Sequence, residues 1–299
     1  MPYLDIQGRQ VRISNPDKVL WPSTGTTKGQ MLEYYIKVSP LLLPCLKGRL
    51  VSLQRFPHGV RSHGFYQKNC PDNAPDWVKT FTLQGKSGKA TSYVLIEDLP
   101  TLVWLANLGV IEFHPWLSSV GSLDHPDYAV FDLDPMEKYG IDEVRQVAHA
   151  IGELLQKLGL IGRVKTSGAT GLQVFVPLAP LYTYQQARDF IHACCRVIHQ
   201  AFPQWTTLER SINHRQGKIY LDYMQNARGQ TIVSAYSLRP QPTPTLSFPL
   251  EWEDLQGPID PKVYSLHNLD KTSIFPAWVE KIPGQRLENA AEVIKNMLY

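Results

Sequence analysis

The sequence has 299 residues, of which 43% are hydrophobic and 10% aromatic; this composition excludes a disordered or collagen-like chain and is sufficient for a substantial core. No run approaches the roughly 18 apolar residues that a membrane helix needs, and the N-terminal stretch lacks the apolar segment of a signal peptide, so we expect a cytoplasmic protein with no membrane partner. The net charge of +3 neither requires nor excludes a polyanionic partner, and the four cysteines lack the spacing of a zinc site.

The first half of the sequence predicts short strands and two helices. Alternating residues in GRQVRISN predict a strand, followed by a loop rich in Asn, Pro, Ser, Thr and Gly. Apolar residues at helical spacing predict a helix over 28–39, closed by Pro40 and Pro44. The stretch GRLVSLQRFPHGVRSHGFYQKN is typical of a strand that runs into a basic and aromatic loop. A short strand near 93–96 and a helix over 99–108 follow.

The second half begins with an apolar strand in YAVFDLDP. A long amphipathic helix is predicted over 141–158, with Gly159 as its cap. Two strands over 163–165 and 172–177 are joined by a glycine-rich turn, and a capping box opens a helix from Thr183 to about Ala201. Two further strands flank the loop 226–229, and a last helix covers 286–297. This order favours an α+β fold with an antiparallel or mixed sheet over regular βαβ alternation.

Two aspartates one residue apart end the strand in YAVFDLDP. Because side chains alternate along a strand, Asp132 and Asp134 share a face, with Cα atoms roughly 6 to 7 Å apart. Asp222 ends the apolar strand in KIYLDYMQ in the same way. An isolated pair of this kind more often serves a turn. Three such acids on neighbouring strands would instead form a site for two Mg²⁺ or Mn²⁺ ions, which prefer carboxylate oxygens and also bind phosphates.

The glycine-rich turn in KTSGATGLQ offers groups that bind phosphate. Ser167, Gly168 and Gly171 can present a hydroxyl and backbone N–H groups, with Lys165 nearby as a point charge. By itself, S-G-x-x-G is more often a plain hairpin turn.

Further basic and aromatic residues suit a nucleic acid. The loop from Phe56 to Tyr66 interleaves cations, which bind phosphates, with aromatic rings, which stack on exposed bases. The alternative is that Phe56 and one of the pair Phe65 and Tyr66 are core residues. Arg228 and Arg239 flank the last predicted hairpin and would complete an electropositive floor, although each by itself is typical of a surface charge.

Together these motifs resemble the polymerase domain of the bacterial ligase D type, a branch of the archaeo-eukaryotic primase superfamily that works in non-homologous end joining. The motifs occur in the family's order and are NPDKVLWPSTGTTKG, QRFPHGV, FYQKN, APDWV, IEFHPW, FDLDP, KTSGATGLQVFVPL and LDYMQNARGQTIVSAYSLR. The resemblance implies an α+β, archaeo-eukaryotic primase-like domain, in which helices flank antiparallel or mixed sheets and the active site lies in the cleft between them. It also implies a single primase-polymerase domain over 1–299, with no ligase or phosphoesterase module in this chain.

The implied activity is template-dependent addition of nucleotides, often ribonucleotides, to a primer 3′-OH at breaks and short gaps. Two Mn²⁺ or Mg²⁺ ions are the implied cofactors, and a nucleoside triphosphate is the substrate. Asp132, Asp134 and Asp222 match the catalytic metal ligands of the family. The implied nucleotide-binding residues are Arg55, His114, Lys165, Ser167, Gly168, Gly171, Gln173, Gln225 and Arg239.

The resemblance also implies how DNA is bound. Asn15, Lys18 and Lys28 match the pocket for the downstream 5′-phosphate of a gap, and Phe65 and Tyr66 match the aromatic pair that stacks on the template. The expected partners are DNA ends and gapped DNA, a Ku-type end-binding protein and an ATP-dependent DNA ligase in trans. A protein with these partners would be nucleoid-associated.

Three positions depart from the family pattern. Gln173 stands where the family usually has a histidine beside the triphosphate, Thr170 where a lysine is common, and Gln54 where a lysine precedes the arginine. Each change removes a possible cation for phosphate, and charge-assisted contacts are roughly twice as strong as neutral ones, so we expect a weaker or slower catalyst. The alternative function is a DNA-end binding and bridging module with weakened catalysis. A metal-dependent phosphohydrolase is a third reading, which the multi-motif match disfavours.

Overall fold

A computed structural model describes residues 3–85, 88–268, 278 and 282–298. These residues form two compact units. The first unit contains the described residues up to Trp116, the segment Thr231–Ser247 and the described residues from 262 to 278. The second contains Leu117–Gln230, Phe248–Pro261 and the described residues from 282 onward. Within the described residues, no helix is both long enough and apolar enough to span a bilayer. The single domain over 1–299 stays a prediction.

The first unit consists of short sheets and two of the described helices. Its strands are β1 (Tyr3–Ile6), β2 (Arg9–Arg12), β3 (Val19–Trp21), β4 (Thr26–Thr27), β5 (Arg49–Arg55), β6 (Phe65–Gln67), β7 (Thr80–Gln84), β8 (Ala90–Val94) and β9 (Val110–Ser119), and its helices are α1 (Lys28–Leu46) and α2 (Leu99–Asn107). The last three residues of β9 belong to the second unit. β1 pairs with β2, β3 with β4 and β7 with β8, and a three-stranded sheet has the order β6-β5-β9.

Helix α1 is longer than the sequence predicts. The predicted end after residue 39 is wrong, because α1 continues through Pro40 and Pro44. Pro40 has no N–H to donate to the carbonyl of Ile36, and the hydroxyl of Ser39 donates to that carbonyl instead, at 2.8 Å. The added turns bury Leu42 completely. Burial of a leucine contributes about 1.5–3 kcal/mol, so Leu42 and Leu46, both fully buried, offset much of the cost of about 3 kcal/mol for each of the two prolines inside the helix.

The segment after the loop 226–229 is also irregular. The second strand predicted there is wrong, because the chain makes only isolated bridges, from Thr231 to Trp116 and from Leu238 to Leu246, within the described residues. Between the bridges, Tyr236 has a φ of +65°, which lies in the left-handed region and cannot continue a strand. The segment Thr231–Ser247, which belongs to the first unit, is therefore irregular.

The second unit is organised around a mixed sheet. Its strands are β10 (Tyr128–Asp134), β11 (Arg163–Thr166), β12 (Leu172–Pro177), β13 (Thr206–Thr207), β14 (Ile219–Asp222) and β15 (Pro249–Leu250), and its helices are α3 (Ile141–Lys157), α4 (Tyr184–Ala201) and α5 (Glu288–Leu298). The strand order is β13-β14-β10-β12-β11-β15. The β13 and β14 pair is parallel and the other neighbours are antiparallel, which confirms the mixed sheet.

Strand β10 lies inside this sheet because its residues are apolar on both faces. Ala129, Val130, Phe131 and Leu133 are almost completely buried. Helix α4 packs on β10, and α3 packs on β12 and contacts α4. The strand leaves the core only at Asp134, which is exposed. The hydrophobic run therefore fixes where its two acids lie.

The helix predictions for the second unit are confirmed. In α3 the N–H of Gly140 donates to Glu143 Oε2 at 3.0 Å, and Gly159 follows the helix with a φ of +68°. Helix α4 begins with the predicted capping box, in which the hydroxyl of Thr183 accepts from the N–H of Gln186.

Candidate active site

The three aspartates meet at the ends of β10 and β14, in the second unit. Asp132 lies directly opposite Asp222 in the antiparallel register, and Asp134 follows two residues later. One carboxylate oxygen from each residue lies within 4.8 Å of the others. The expected clustering is therefore present, and the catalytic role of these residues stays a prediction.

Because the three acids lie close together and are partly shielded from water, their charged forms are unfavourable in free energy. Burial raises the pKa of Asp132 to about 7, and the negative charge of Asp134 adds to this rise. Although Asp134 is exposed and Asp222 is half-buried, partial removal of water from their carboxyl groups raises the pKa of each, and the charge of Asp222 adds to the rise at Asp134. Arg215 lowers the pKa of both residues but does not reverse the rise. A divalent cation would supply the missing positive charge, and carboxylate oxygens are the ligands that Mg²⁺ and Mn²⁺ prefer.

Gln173 connects Asp132 to a buried lysine. On β12, Gln173 lies between Asp132 of β10 and Lys165 of β11 in register. Its Nε2 donates to Asp132 Oδ1 at 3.0 Å, and its Oε1 accepts from Lys165 Nζ. Lys165 is 0% exposed, and its ammonium also lies 5.5 Å from the centre of the Phe175 ring. In this arrangement Gln173 contacts the acidic cluster and links it to Lys165.

The turn between β11 and β12 is held by Ser167. The hydroxyl of Ser167 accepts from the N–H groups of Ala169 and Gly171, at 3.2 and 3.1 Å. A Cβ on Gly171 would lie 2.2 Å from the carbonyl oxygen of Leu133, and Gly168 has a φ of +73°. Backbone geometry therefore requires glycine at both positions. Because both lone pairs of the Ser167 hydroxyl accept within the turn, its O–H is the group that it can offer to a phosphate.

In the first unit, His114 and Arg239 share one buried carboxylate. Glu112 Oε2 lies 2.8 Å from His114 Nε2, and Glu112 Oε1 lies 2.7 Å from Arg239 Nε. The ring of Tyr66 contacts the His114 ring edge to face, with centroids 5.5 Å apart. Reasoning from the sequence missed Glu112. The signal was the E-x-H spacing on an otherwise apolar strand, which places both side chains on one face.

Arg55 is engaged by neighbours in the first unit. Its Nε and Nη2 donate to the carbonyl of Leu108 at 3.2 and 2.9 Å, and its Nη1 donates to Gln67 Oε1 at 2.7 Å. Its guanidinium lies 5.3 Å from the centre of the Phe65 ring, and burial lowers its pKa. A nucleotide-binding role for Arg55 stays a prediction.

The aromatic residues of the basic loop divide between core and surface. Phe56 is buried, as the alternative interpretation predicted, but its prediction that Phe65 or Tyr66 is also a core residue is wrong. Phe65 and Tyr66 are 46% and 60% exposed, so both rings are available for stacking.

The predicted 5′-phosphate residues lie together at the start of α1. The N–H of Lys28 donates to the carbonyl of Lys18, whose own N–H donates to the carbonyl of Asn15. Lys28 Nζ donates to Ser14 Oγ at 3.1 Å and to the carbonyl of Asn107 at 3.0 Å. Burial, with the charge of Lys18 as a smaller cause, lowers the pKa of Lys28 to about 8. A phosphate would favour the charged form of Lys28.

Two further predicted residues lie near the end of β14. The Gln225 side-chain oxygen is buried and has no hydrogen-bond partner among the described residues. Arg228 forms a surface ion pair with Asp124, with Nε 2.5 Å from Oδ1. Arg228 therefore behaves as the surface charge that its sequence context suggested.

A family model described as the LigD primase-polymerase domain matches residues 27–273. The chain belongs to this family. The match spans most of the chain and includes the strands that carry the three aspartates. It confirms the resemblance found in the motifs.

Curated relatives and a solved structure agree with this family. The chain is 36% identical over 258 residues to the bifunctional non-homologous end joining protein LigD of Bacillus subtilis, covering 86% of the chain and 41% of that protein. It is 34% identical over 251 residues to the multifunctional LigD of Mycolicibacterium smegmatis, covering 83% of the chain and 33% of that protein. The chain thus spans between a third and about two-fifths of the length of these relatives.

The solved structure is the polymerase domain of Mycobacterium tuberculosis ligase D in complex with DNA. Its TM-score is 0.78 at 30% identity, covering 94% of this chain and 98% of that one. The α+β, primase-like fold expected from the sequence is confirmed.

Proposed function

We propose that this LigD-type polymerase domain adds nucleotides, with ribonucleotides among its substrates, to a primer 3′-OH at DNA breaks and short gaps that carry a 5′-phosphate. The reaction is templated and serves non-homologous end joining. The observation that carries the proposal is the cluster of Asp132, Asp134 and Asp222, whose oxygens lie within 4.8 Å of one another in a member of this family.

The chemistry is a nucleotidyl transfer. The primer 3′-oxygen forms a bond to the α-phosphorus of the nucleoside triphosphate, the bond from that phosphorus to the bridging oxygen breaks, pyrophosphate leaves, and the 3′-OH proton passes to solvent. Two Mg²⁺ or Mn²⁺ ions held by the three aspartates would lower the pKa of the 3′-OH and neutralise the leaving pyrophosphate. The chain's own contribution is to position the triphosphate, through Ser167 and the residues around it.

The DNA-binding part of the proposal rests on the first unit. Asn15, Lys18 and Lys28 lie together, and two lysines whose charges oppose each other gain most from an anionic ligand such as a terminal phosphate. Phe65 and Tyr66 would stack on template bases. A Ku-type protein and an ATP-dependent DNA ligase would act with the domain at the break.

Single-nucleotide incorporation on a gapped DNA tests this function. The assay compares a downstream 5′-phosphate with a 5′-hydroxyl, Mn²⁺ with Mg²⁺, and each ribonucleotide with its deoxyribonucleotide. We expect templated addition that depends on the 5′-phosphate and is lost in Asp132→Ala and Asp134→Ala, while both variants still bind DNA. Unchanged primer extension by these variants would refute the proposal.

One observation favours a second function, a DNA-end bridging module with weakened catalysis. Lys165 is fully buried and bonded to Gln173, so neither side chain is presented as a free cation for a triphosphate. The variant Gln173→His separates the two functions. A large gain in incorporation would support weakened catalysis in the natural chain. No gain, with substantial activity in the natural chain, would support the polymerase.

A further inference from the structure

Glu112 has no role in the function proposed above, although it contacts His114 and Arg239, for which the family resemblance implies nucleotide binding. Its carboxylate is 1% exposed, on β9 of the first unit. One oxygen contacts His114 and the other contacts Arg239, at 2.8 and 2.7 Å. The contact with Arg239 lacks the alignment of a hydrogen bond and is an ion pair.

Stability by itself is a poor reason for this arrangement. A buried ion pair recovers at best the cost of removing its charges from water, and well-packed apolar residues usually stabilise a core equally well. The neighbouring Phe113, on the other face of β9, is fully buried and packs on Tyr35 with ring centroids 5.3 Å apart. Apolar packing is therefore already used on this strand, and the face of Glu112 is the exception.

Contact with the carboxylate fixes which nitrogen His114 offers to a ligand. An ionised carboxylate only accepts hydrogen bonds, so His114 must donate from Nε2. The remaining nitrogen, Nδ1, is then the one that can contact a ligand, as happens when a second group sets the tautomer of a metal-bound histidine. Tyr66 packs against the ring and limits its rotation.

Contact with Glu112 also directs the guanidinium of Arg239. The ion pair is made through Nε, so a ligand would contact Arg239 through its terminal amino groups. Two parallel N–H donors are the fork that binds a phosphate in a bidentate manner. The backbone of Arg239 is held as well, because its N–H donates to the carbonyl of Thr245 at 2.8 Å.

We propose that Glu112 is a positioning residue for the nucleoside triphosphate, which it never touches and on which it acts through His114 and Arg239. The proposal rests on the proposed function, in which a nucleoside triphosphate is the substrate, and on the nucleotide-binding roles that the family resemblance implies for His114 and Arg239. It adds one specific consequence. His114 and Arg239 are both held by Glu112, so both lose their alignment when the charge of Glu112 is removed.

The test uses Glu112→Gln, with Glu97→Gln as a matched control. Glu97 lies in the same unit and accepts the N–H of Gly48 at 2.9 Å, outside the proposed site. A glutamine at 112 that turns its NH₂ toward Arg239 opposes two donors, and one that turns its NH₂ toward His114 requires the other tautomer, in which Nε2 accepts and Nδ1 carries the proton. We expect Glu112→Gln to weaken the binding of a non-hydrolysable nucleoside triphosphate, measured with gapped DNA and Mn²⁺, by about 10- to 100-fold. Glu97→Gln should bind as the natural chain does.

Binding keeps the test separate from the proposed function. If the natural chain binds the analogue but adds no nucleotide, the polymerase proposal fails, and the effect of Glu112→Gln on binding still tests its positioning role. Where incorporation is measurable, the KM for nucleotide should rise more than kcat falls. Unchanged binding in a folded Glu112→Gln protein would overturn the inference.

A second set of variants guards against simple misfolding. In a protein that already carries His114→Ala and Arg239→Ala, adding Glu112→Gln should change nucleotide affinity by less than about twofold, because residues acting as one unit are not additive. A further loss equal to that of the single variant would show an independent structural effect and overturn the proposal. Glu112→Asp, which keeps the charge, should restore part of the affinity lost in Glu112→Gln, and no restoration would also count against it.

Discussion

The two units differ in how the charges of their clustered carboxylates are compensated. In the second unit, three aspartates lie together, burial raises the pKa of each, and repulsion between carboxylates adds to the rise at Asp132 and Asp134. In the first unit, Glu112 lies between a histidine and an arginine, and each of its oxygens contacts one of them. The difference teaches that burial of an acid does not by itself identify a metal site. A surplus of negative charge calls for a cation, whereas a balanced carboxylate organises its neighbours.

The largest effect, a loss of nucleotide incorporation, is expected from removing one negative charge of the three-aspartate cluster. Asp132→Asn keeps the shape of the side chain and an acceptor for Gln173, but it removes a metal-binding oxygen of full charge. Nucleotide incorporation should fall by at least about 1,000-fold, equivalent to about 4 kcal/mol in the activation barrier. Single-turnover incorporation at saturating nucleotide measures the loss. The exposed Asp189→Asn on α4 is the control and should retain full activity; a similar loss there would point to a general defect.

Removing the charge of Glu112 should instead lower the free energy of unfolding. Glu112→Gln leaves Arg239 partly buried without its counter-ion, and breaking a buried pair from one side costs about 3 kcal/mol or more. Urea unfolding of the metal-free protein measures this change. An unchanged midpoint would mean that solvent already compensates Arg239, and the contrast between the two regions would be lost.

Urea unfolding of the metal-free protein should show a gain in stability, instead of a loss, for Asp132→Asn. A carboxyl whose folded pKa is raised binds protons more readily in the folded state, so the stability of the natural chain falls as the pH rises from about 4 to about 7. Asparagine has no such penalty. The variant should therefore match the natural chain near pH 4 and exceed it by roughly 2 kcal/mol above pH 7, after allowing for relaxation of the site. Unfolding curves in EDTA across this range decide the matter, and parallel pH profiles would contradict the charge surplus.

The smallest effect, a loss of metal affinity, is expected from changing Gln173, which connects Asp132 of the acidic cluster to the buried Lys165. Gln173→Met preserves length and volume but removes the bonds to Asp132 and Lys165. Residues that hold a metal ligand in place typically contribute about tenfold in metal affinity. Calorimetric titration with Mn²⁺ should show this loss, and Gln173→Glu, which adds a fourth negative charge to the cluster, should be a matched test of the electrostatic part. Equal Mn²⁺ affinity in all three proteins would mean that Asp132 needs no support.

Much of the second unit was predictable because its signals are local. The alternation and the apolar run of β10 predicted a buried strand with Asp132 and Asp134 on one face, and the caps of α3 and α4 predicted their boundaries. The first unit was harder. Pro40 and Pro44 predict a helix end, yet tertiary burial of the residues beyond them prevailed over local preference. Strand β1 was missed because three of its four residues are exposed and show no hydrophobic alternation, and β7 was missed although its residues alternate.

By itself, the sequence determined the family, the α+β class and the acids that form the cluster, because these depend on residue types at short spacings and on motif order. Only the tertiary structure decided which strands pair with each other and in which register. That decision placed Asp222 opposite Asp132, inserted Gln173 between Asp132 and Lys165, and brought Arg239 to Glu112 across more than a hundred residues. Such contacts depend on register and on the path of the chain, and a linear pattern of residues does not encode either one locally.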